Sequence, residues 1–182
     1  DEVNDTLRRK AKAINFGVIY GISDFGLAKQ AGLSLQEARH YIDTYFVTYP
    51  NIKAFLDTSI AFCKEKGYVT TMMKRRRYIK EINDKNYMLR EFGKRAAMNS
   101  RIQGSAADLI KVAMIKINKK IKEMGLKSKM VLQIHDELIF DVPLSEKEVM
   151  LKLIDEEMKN AYKLDVLLDN SISYAYSWYD AK

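Results

Sequence analysis

Apolar residues recur at helical spacing through the first third of the chain, and the punctuation between them is explicit. A helix is expected over 6–21, stopped near Gly21, and a second over 23–31, ended by Gly32. "SLQE" at 34–37 reads as a capping box, with Ser34 serving the amide three residues on and Glu37 reaching back, and it opens a helix to about Thr48. Pro50 suits the first turn of the next helix, which runs to Gly67 with "KEK" at the negative end of its dipole. From residue 68 the pattern changes. "YVTTM" (68–72) and "RYI" (77–79) are β-prone and can pair around a basic run. A helix over 87–99, an irregular "SRIQG" and a long helix over 105–124 closed by Gly125 follow. "KMVLQI" and "ELIFDV" read as strands joined by a tight turn, "SEKE" (145–148) as the cap of a helix to about Lys163, and "SISYAYSW" as a last strand. Helices first and antiparallel strands later make the expected class α+β.

The 182 residues are 47% hydrophobic, enough for a core, and hold no run of 18 apolar residues. "DEVNDTLRRKAKAI" lacks the basic-then-apolar order of an export signal, so a cytoplasmic location and no membrane partner are expected. Composition shows neither a linker nor a repeat. Cys63 is the single cysteine, which excludes an internal disulfide or a cysteine-built zinc cluster. With His40 and His135 the two histidines, a metal site would be built from carboxylates. Charge is uneven: residues 64–101 carry twelve Lys or Arg against four Asp or Glu, whereas 145–182 carry five against eight. The excess is densest in "KRRRY" (74–78), which fits either a surface facing a polyanion or a solvated charged face.

Three stretches carry candidate chemistry. Arg8, Lys12, Phe16 and Tyr20 recur every four residues, so they form one slanting band about 18 Å long on a helix. Two cations followed by two rings suit a nucleotide laid along the helix, and they equally suit an amphipathic helix with Phe16 and Tyr20 in the core. Arg95, Asn99 and Gln103 repeat the spacing, supplying charged donors and mixed donor–acceptor groups for phosphates, sugars and base edges. An exposed polar face, with Gly104 a plain helix break, is the alternative. In "QIHDELIF" the hairpin turn would ordinarily use glycine, because both central residues need positive φ, yet His135 and Asp136 stand there. A tight turn sets Ile134 opposite Glu137 and Leu132 opposite Ile139, and leaves Asp136 at the tip. There it is either a ligand for a hard cation such as Mg²⁺ or an ordinary exposed acid.

"RRKAKAINFGVIYG" (8–21), "RAAMNSRIQGSAADLIK" (95–111) and "QIHDELIFDVP" (133–143), in that order, resemble the C-terminal half of the polymerase domain of family A DNA polymerases, the bacterial DNA polymerase I type. "GLAKQAGLSLQEARHYIDTYFVTYPNIKAF" and "GYVTTMMKRRRYIKEI" are similar to the stretches between those motifs, so nearly the whole chain is covered. The resemblance implies a fingers-like helical part over 1–90. A palm-like part over 91–182 would hold the hairpin 129–142 packed on helices and a C-terminal helix and strand. It implies a DNA-directed DNA polymerase of replication and repair, acting on primer–template DNA and deoxynucleoside triphosphates with two Mg²⁺ ions. Arg8 and Lys12 would hold the triphosphate, Phe16 would lie against the sugar and Tyr20 would border the nascent pair, with Lys12 helping pyrophosphate leave. Arg95, Asn99 and Gln103 would lie at the primer end and minor groove. His135 would stand near the primer 3′ end, Asp136 would hold metal and Glu137 would be an accessory acid.

Two departures from the family qualify this. The strand motif Asp-Tyr-Ser-Gln-Ile-Glu-Leu-Arg, which carries the family's other metal-holding aspartate, is absent from the 182 residues. The chain therefore reads as a fragment lacking the thumb and first palm segment, with an incomplete metal site, no activity alone, and a free sheet edge open to self-association. Lys74 stands where the family usually has glycine. The alternatives are a single-subunit phage-type RNA polymerase, disfavoured by Glu137 after His-Asp and by "QGSAADL", and a non-catalytic nucleic-acid-binding module.

Overall fold

The computed structural model describes residues 4–181, which form two compact units, one reaching Ser105 and the other beginning at Ala106. The first unit opens with α1 (Asp5–Ile19), α2 (Asp24–Ala31), α3 (Leu35–Thr48) and α4 (Pro50–Lys66). Side-chain caps set the starts of the first three, and Pro50 stands in the first turn of α4. Asn4 accepts from the Leu7 amide at 2.9 Å and Ser23 from the Gly26 amide at 3.1 Å. The Ser34–Glu37 box is closed in both directions, at 3.2 and 2.8 Å. Gly32 and Gly67 end α2 and α4 in the left-handed conformation, with Lys64 and Lys66 at the negative end of α4. Leu27, Ala31 and Ala38 join α2 to α3, and Ile14 of α1 packs on them.

The basic run is a hairpin of β1 (Tyr68–Thr70) and β2 (Arg76–Tyr78), antiparallel with Tyr68 opposite Tyr78 and Thr70 opposite Arg76. Its connection is drawn tight by Thr71, whose carbonyl accepts from the Lys74 amide at 2.9 Å and whose hydroxyl accepts from the Arg75 amide at 3.1 Å. Lys74 bears the consequence, at φ +62°. Val69, Ile79 and Ile82 pack with Cys63 of α4 and Ala97 into a second buried cluster.

Ala97 belongs to α5 (Tyr87–Glu123), a single helix of 37 residues. The break expected at "SRIQG" does not occur. Gly104 is helical, and its lack of a side chain serves an approach instead: a Cβ there would meet Thr71 Cγ2 at 2.8 Å. Arg75 Nη2 donates to the Gly104 carbonyl at 3.1 Å, and the Met72 amide donates to Ser105 Oγ at 2.9 Å. Gly93 admits a second segment, because a Cβ there would lie 2.8 Å from the backbone of Glu81 and Ile82.

In the second unit, Ala113, Ile117 and Ile121 of α5 recur every four residues and meet Met150 and Leu153 of α6 (Lys147–Lys159). Lys120 pairs with Glu157 at 2.8 Å across the two helices. The hairpin of β3 (Lys129–Ile134) and β4 (Glu137–Asp141) lays Met130, Leu138 and Phe140 on this core. Three expectations are corrected here. Ser145 does not cap α6; the chain makes a 3-10 turn over Leu144–Glu146 and the helix has no side-chain cap. The helix ends at Lys159 rather than near Lys163, where Lys116 Nζ donates to the Asn160 carbonyl at 2.7 Å and places a cation at the helix's negative end. Residues 171–178 are not a strand, because alternation alone supplies no hydrogen-bond ladder and β3 and β4 pair only with each other among the described residues. No helix among them is long and apolar enough to cross a membrane.

Lys74 is exposed, so its left-handed backbone can be tested without removing packing. The αL conformation costs a non-glycine residue ~1–2 kcal/mol, while glycine forfeits ~0.5–1 kcal/mol of chain entropy. Lys74→Gly should therefore raise stability by roughly 0.5–1 kcal/mol. An unchanged or lower urea midpoint would show that the turn is not strained.

Candidate functional site

The band on α1 is a surface, and its side chains interlock. Helix α1 buries Gly17 and Val18, while Arg8 and Lys12 are exposed and Phe16 is 49% exposed, which excludes Phe16 from the core. Lys12 Nζ stands 5.9 Å from the Phe16 ring centroid, and Phe16 lies 6.0 Å from Tyr20 with the rings tilted by 34°. Tyr20 is half-buried, and its hydroxyl accepts a hydrogen bond from Gln103 Nε2. The last residue of the α1 band is thus tied to the last residue of the α5 band.

The joint depends on Gly21. At φ +72° the chain leaves α1 so close to α5 that a Cβ would overlap the Met98 methyl at 2.3 Å and lie 3.3 Å from Arg95 Cγ. Arg95 and Gln103 are exposed, Asn99 is half-buried, and the Asn99 Oδ1 is buried without a hydrogen bond among the described residues. The structure therefore brings together Lys12, Phe16 and Tyr20 in one run and Tyr20 with Gln103. Arg8 continues the run towards the start of α1.

His135, Asp136 and Glu137 belong to the second unit, at the tip of the β3–β4 hairpin, and all three are exposed. The register sets Ile134 opposite Glu137 and Leu132 opposite Ile139, with Val131 bulged out between Met130 and Leu132. The expectation that both turn residues need positive φ is corrected: His135 takes φ +51° and Asp136 does not. A two-residue hairpin with positive φ at its first central residue alone is the II′ arrangement, which ordinarily has glycine there. Gln133 Nε2 donates to the His135 carbonyl at 3.1 Å and steadies the tip. The strands are less buried than their sequence suggests, with Val131 55% and Leu132 46% exposed.

The base of the hairpin is fixed by Glu146, which sequence reasoning had assigned only to a capping motif. Its carboxylate accepts from the amides of Lys127 and Ser128 at 2.8 and 2.9 Å and from the Ser128 hydroxyl at 2.6 Å. These bonds, the Lys127 amide first, hold the Glu146 carboxyl below its ordinary value. No periodicity could have announced this contact, nor the one between Tyr20 and Gln103, which spans 83 positions.

Asp136 and Glu137 offer hard oxygen donors on adjacent residues. No group of three or more His, Cys, Asp or Glu among the described residues is placed to hold a metal ion. This donor set suits a cation that takes one or two protein carboxylates and completes its shell with water and substrate phosphates, as Mg²⁺ does.

A family model described as DNA polymerase family A matches residues 1–180. DNA polymerase I of Bacillus subtilis (strain 168) is 50% identical over 182 residues, covering 100% of this chain and 21% of that protein. DNA polymerase I of Bacillus caldotenax is 47% identical with the same coverage. The chain thus spans about a fifth of the length of these curated relatives. The solved POL domain of Pol1 from M. smegmatis, in complex with DNA primer-template and dNTP, has a TM-score of 0.94 at 44% identity, covering 100% of this chain and 32% of that one.

The Glu146 clamp makes a signed prediction. A carboxyl whose folded-state pKa is depressed stabilises the fold above its unfolded value, here the ordinary 4.5, and that contribution is lost as pH falls through the lower folded value. Glu146→Gln should lower the urea midpoint at pH 7, and the gap to the parent should close as pH drops below 4.5. A gap that stays constant down to pH 3 would contradict the clamp.

Proposed function

Because the chain belongs to DNA polymerase family A, we propose that it supplies the nucleotide-holding helix and one metal-holding carboxylate of an enzyme that adds deoxynucleotides to a primer 3′ end under template direction. The observation that carries this reading is the exposed run of cations and rings on α1, with Tyr20 anchored to Gln103. Arg8 and Lys12 are exposed, make no ion pair among the described residues, and present charge to a triphosphate. Phe16 meets the sugar, and Tyr20 borders the forming base pair at a position fixed by Gln103. Arg95, Asn99 and Gln103 read the primer end and minor groove, with donors and acceptors on the two amides. Residues 1–90 act as a fingers-like part and 91–182 as a palm-like one.

At the hairpin tip Asp136 holds metal, Glu137 assists and His135 lies near the primer terminus. Mg²⁺, when bound, supplies charge neutralisation at the transferred phosphorus and lowers the pKa of the primer hydroxyl. The chain's own contribution there is orientation: a stiff hairpin, a strained His135 backbone and the Glu146 clamp keep the carboxylates in place. Primer–template DNA and deoxynucleoside triphosphates are the partners this chemistry requires. The free hairpin edges would also admit a strand from a second copy.

Two measurements test the reading. In the intact polymerase, Lys12→Ala should weaken nucleotide binding about 10- to 100-fold, the worth of one charge-assisted hydrogen bond, while primer–template affinity changes little. Equal losses in both would remove Lys12 from the nucleotide site. Residues 1–182 alone, which lack the motif of the family's other metal-holding aspartate, should extend no primer in Mg²⁺ and all four deoxynucleotides; measurable extension would refute the missing-ligand account.

A further inference from the structure

The band on α1 and its partner on α5 do not account for the densest positive charge in the chain. Seven cations lie between residues 58 and 80 against one acid, Glu65, which is paired with Lys66 at 2.7 Å. Arg75 is committed to the Gly104 carbonyl. Arg76 is placed differently. The β1–β2 register puts Tyr68, Thr70, Arg76 and Tyr78 on one face of the hairpin, opposite to the face on which Val69 is buried. On that outer face the Arg76 guanidinium stacks 4.8 Å from the Tyr68 ring, and Tyr68 lies 5.5 Å from Tyr78. Phe62 of α4 meets the far side of the group edge-on, 5.7 Å from Tyr68.

Burial gives this cluster no structural reason to be aromatic. Tyr78 is 66% exposed and Phe62 38% exposed, Tyr68 between them is half-buried, and the core under the hairpin is supplied by Val69, Ile79 and Cys63. The row continues along α4. Phe55 is one heptad before Phe62, about 10 Å along the helix, and the Arg101 guanidinium stacks 4.6 Å from its ring while donating to Ser59 at 2.9 Å. Rings alternating with guanidinium groups, on a surface whose α4 acids Asp57 and Glu65 are each paired with a lysine, at 2.6 and 2.7 Å, match a chain of stacked bases joined by phosphates. An apolar protein partner would gain nothing from the excess of cations, and a duplex hides its base faces.

We propose that Phe62, Tyr68, Tyr78 and Arg76 form a stacking platform for single-stranded nucleic acid. The platform needs no nucleotide, metal or primer end, so it stands whether or not the polymerase reading does. Each base laid on a ring gains dispersion and quadrupole contact that is indifferent to base identity, while Arg76 faces the backbone and keeps its ring contact.

The test uses the 182-residue chain and a labelled 15-nucleotide oligothymidylate, with fluorescence anisotropy read over a range of salt. The chain should bind it roughly tenfold more tightly than an abasic strand of equal length. Tyr78→Ala, at an exposed position that the core does not use, should lose roughly tenfold with an unchanged salt slope, and Tyr78→Phe should restore it. Arg76→Gln should instead reduce the slope of log K against log salt by about 0.7, one phosphate contact. Equal binding of abasic and base-bearing strands, an unaffected Tyr78→Ala variant, absence of binding, or displacement by polyglutamate at equal charge would each overturn the platform.

Discussion

Between residues 93 and 105, three other segments approach α5 at glycines, two of them its own and one at the end of α1. Gly93 receives the 3-10 turn at 81–82, Met98 lies under Gly21 at the end of α1, and Gly104 receives Thr71 and Arg75 from the β1–β2 connection. Two glycines inside one helix cost about 2 kcal/mol of helix propensity in total. That cost is offset by contacts no larger residue would permit, including the Arg75 bond to the Gly104 carbonyl and the Met72 bond to Ser105. Close backbone approach to α5 is the constraint from which the rest of the first unit follows.

The polar residues of this stretch acquire their meaning from the same constraint. Once one side of α5 is filled by glycine, alanine and Met98, Arg95, Asn99 and Gln103 are left on a line beside the end of α1. Gln103 then fixes Tyr20, and through ring contacts Tyr20 stands next to Phe16 and Phe16 under Lys12. A run of exposed side chains on a surface helix would otherwise lose its geometry to rotamer freedom. Here one end of the run is pinned, so the placement of these candidate side chains is a consequence of how the end of α1 packs on α5.

Much of this was legible in the sequence because the decisive signals are local. Ser34 caps within one turn of itself, Gly32 and Gly67 stop helices where they stand, and the register about His135 and Asp136 follows from turn length, whereas the caps at Asn4 and Ser23 carried no such box and emerge only from the structure. The misreadings arise where a local signal was overruled from a distance. Gly104 looks like a breaker until Thr71 is seen against it. "SEKE" looks like a cap until Glu146 is found turned back to Lys127 and Ser128. "SISYAYSW" alternates as a strand should, but a strand is a pairing, and a sequence reports only one side of a pair. For the site, the spacing-of-four bands were visible, whereas the Tyr20–Gln103 bond that unites them was not.

The two left-handed non-glycine residues sharpen the difference between strain that is tolerated and strain that has a use. Lys74 and His135 hold nearly the same φ, +62° and +51°, each within a short connection between two strands. At Lys74 the side chain is exposed, no contact among the described residues explains a lysine there, and the neighbouring Thr71 bonds account for the turn by backbone and hydroxyl alone. At His135 the side chain stands beside two exposed carboxylates, on a hairpin whose base is clamped by three hydrogen bonds to Glu146. Glycine would satisfy either backbone. Only at the second would it remove a titratable ring from the neighbourhood of candidate metal-holding acids. The strain at His135 is therefore intelligible as the cost of presenting an imidazole at a hairpin tip, and Lys74, at a similarly positive φ without such neighbours, supplies the comparison within the same molecule.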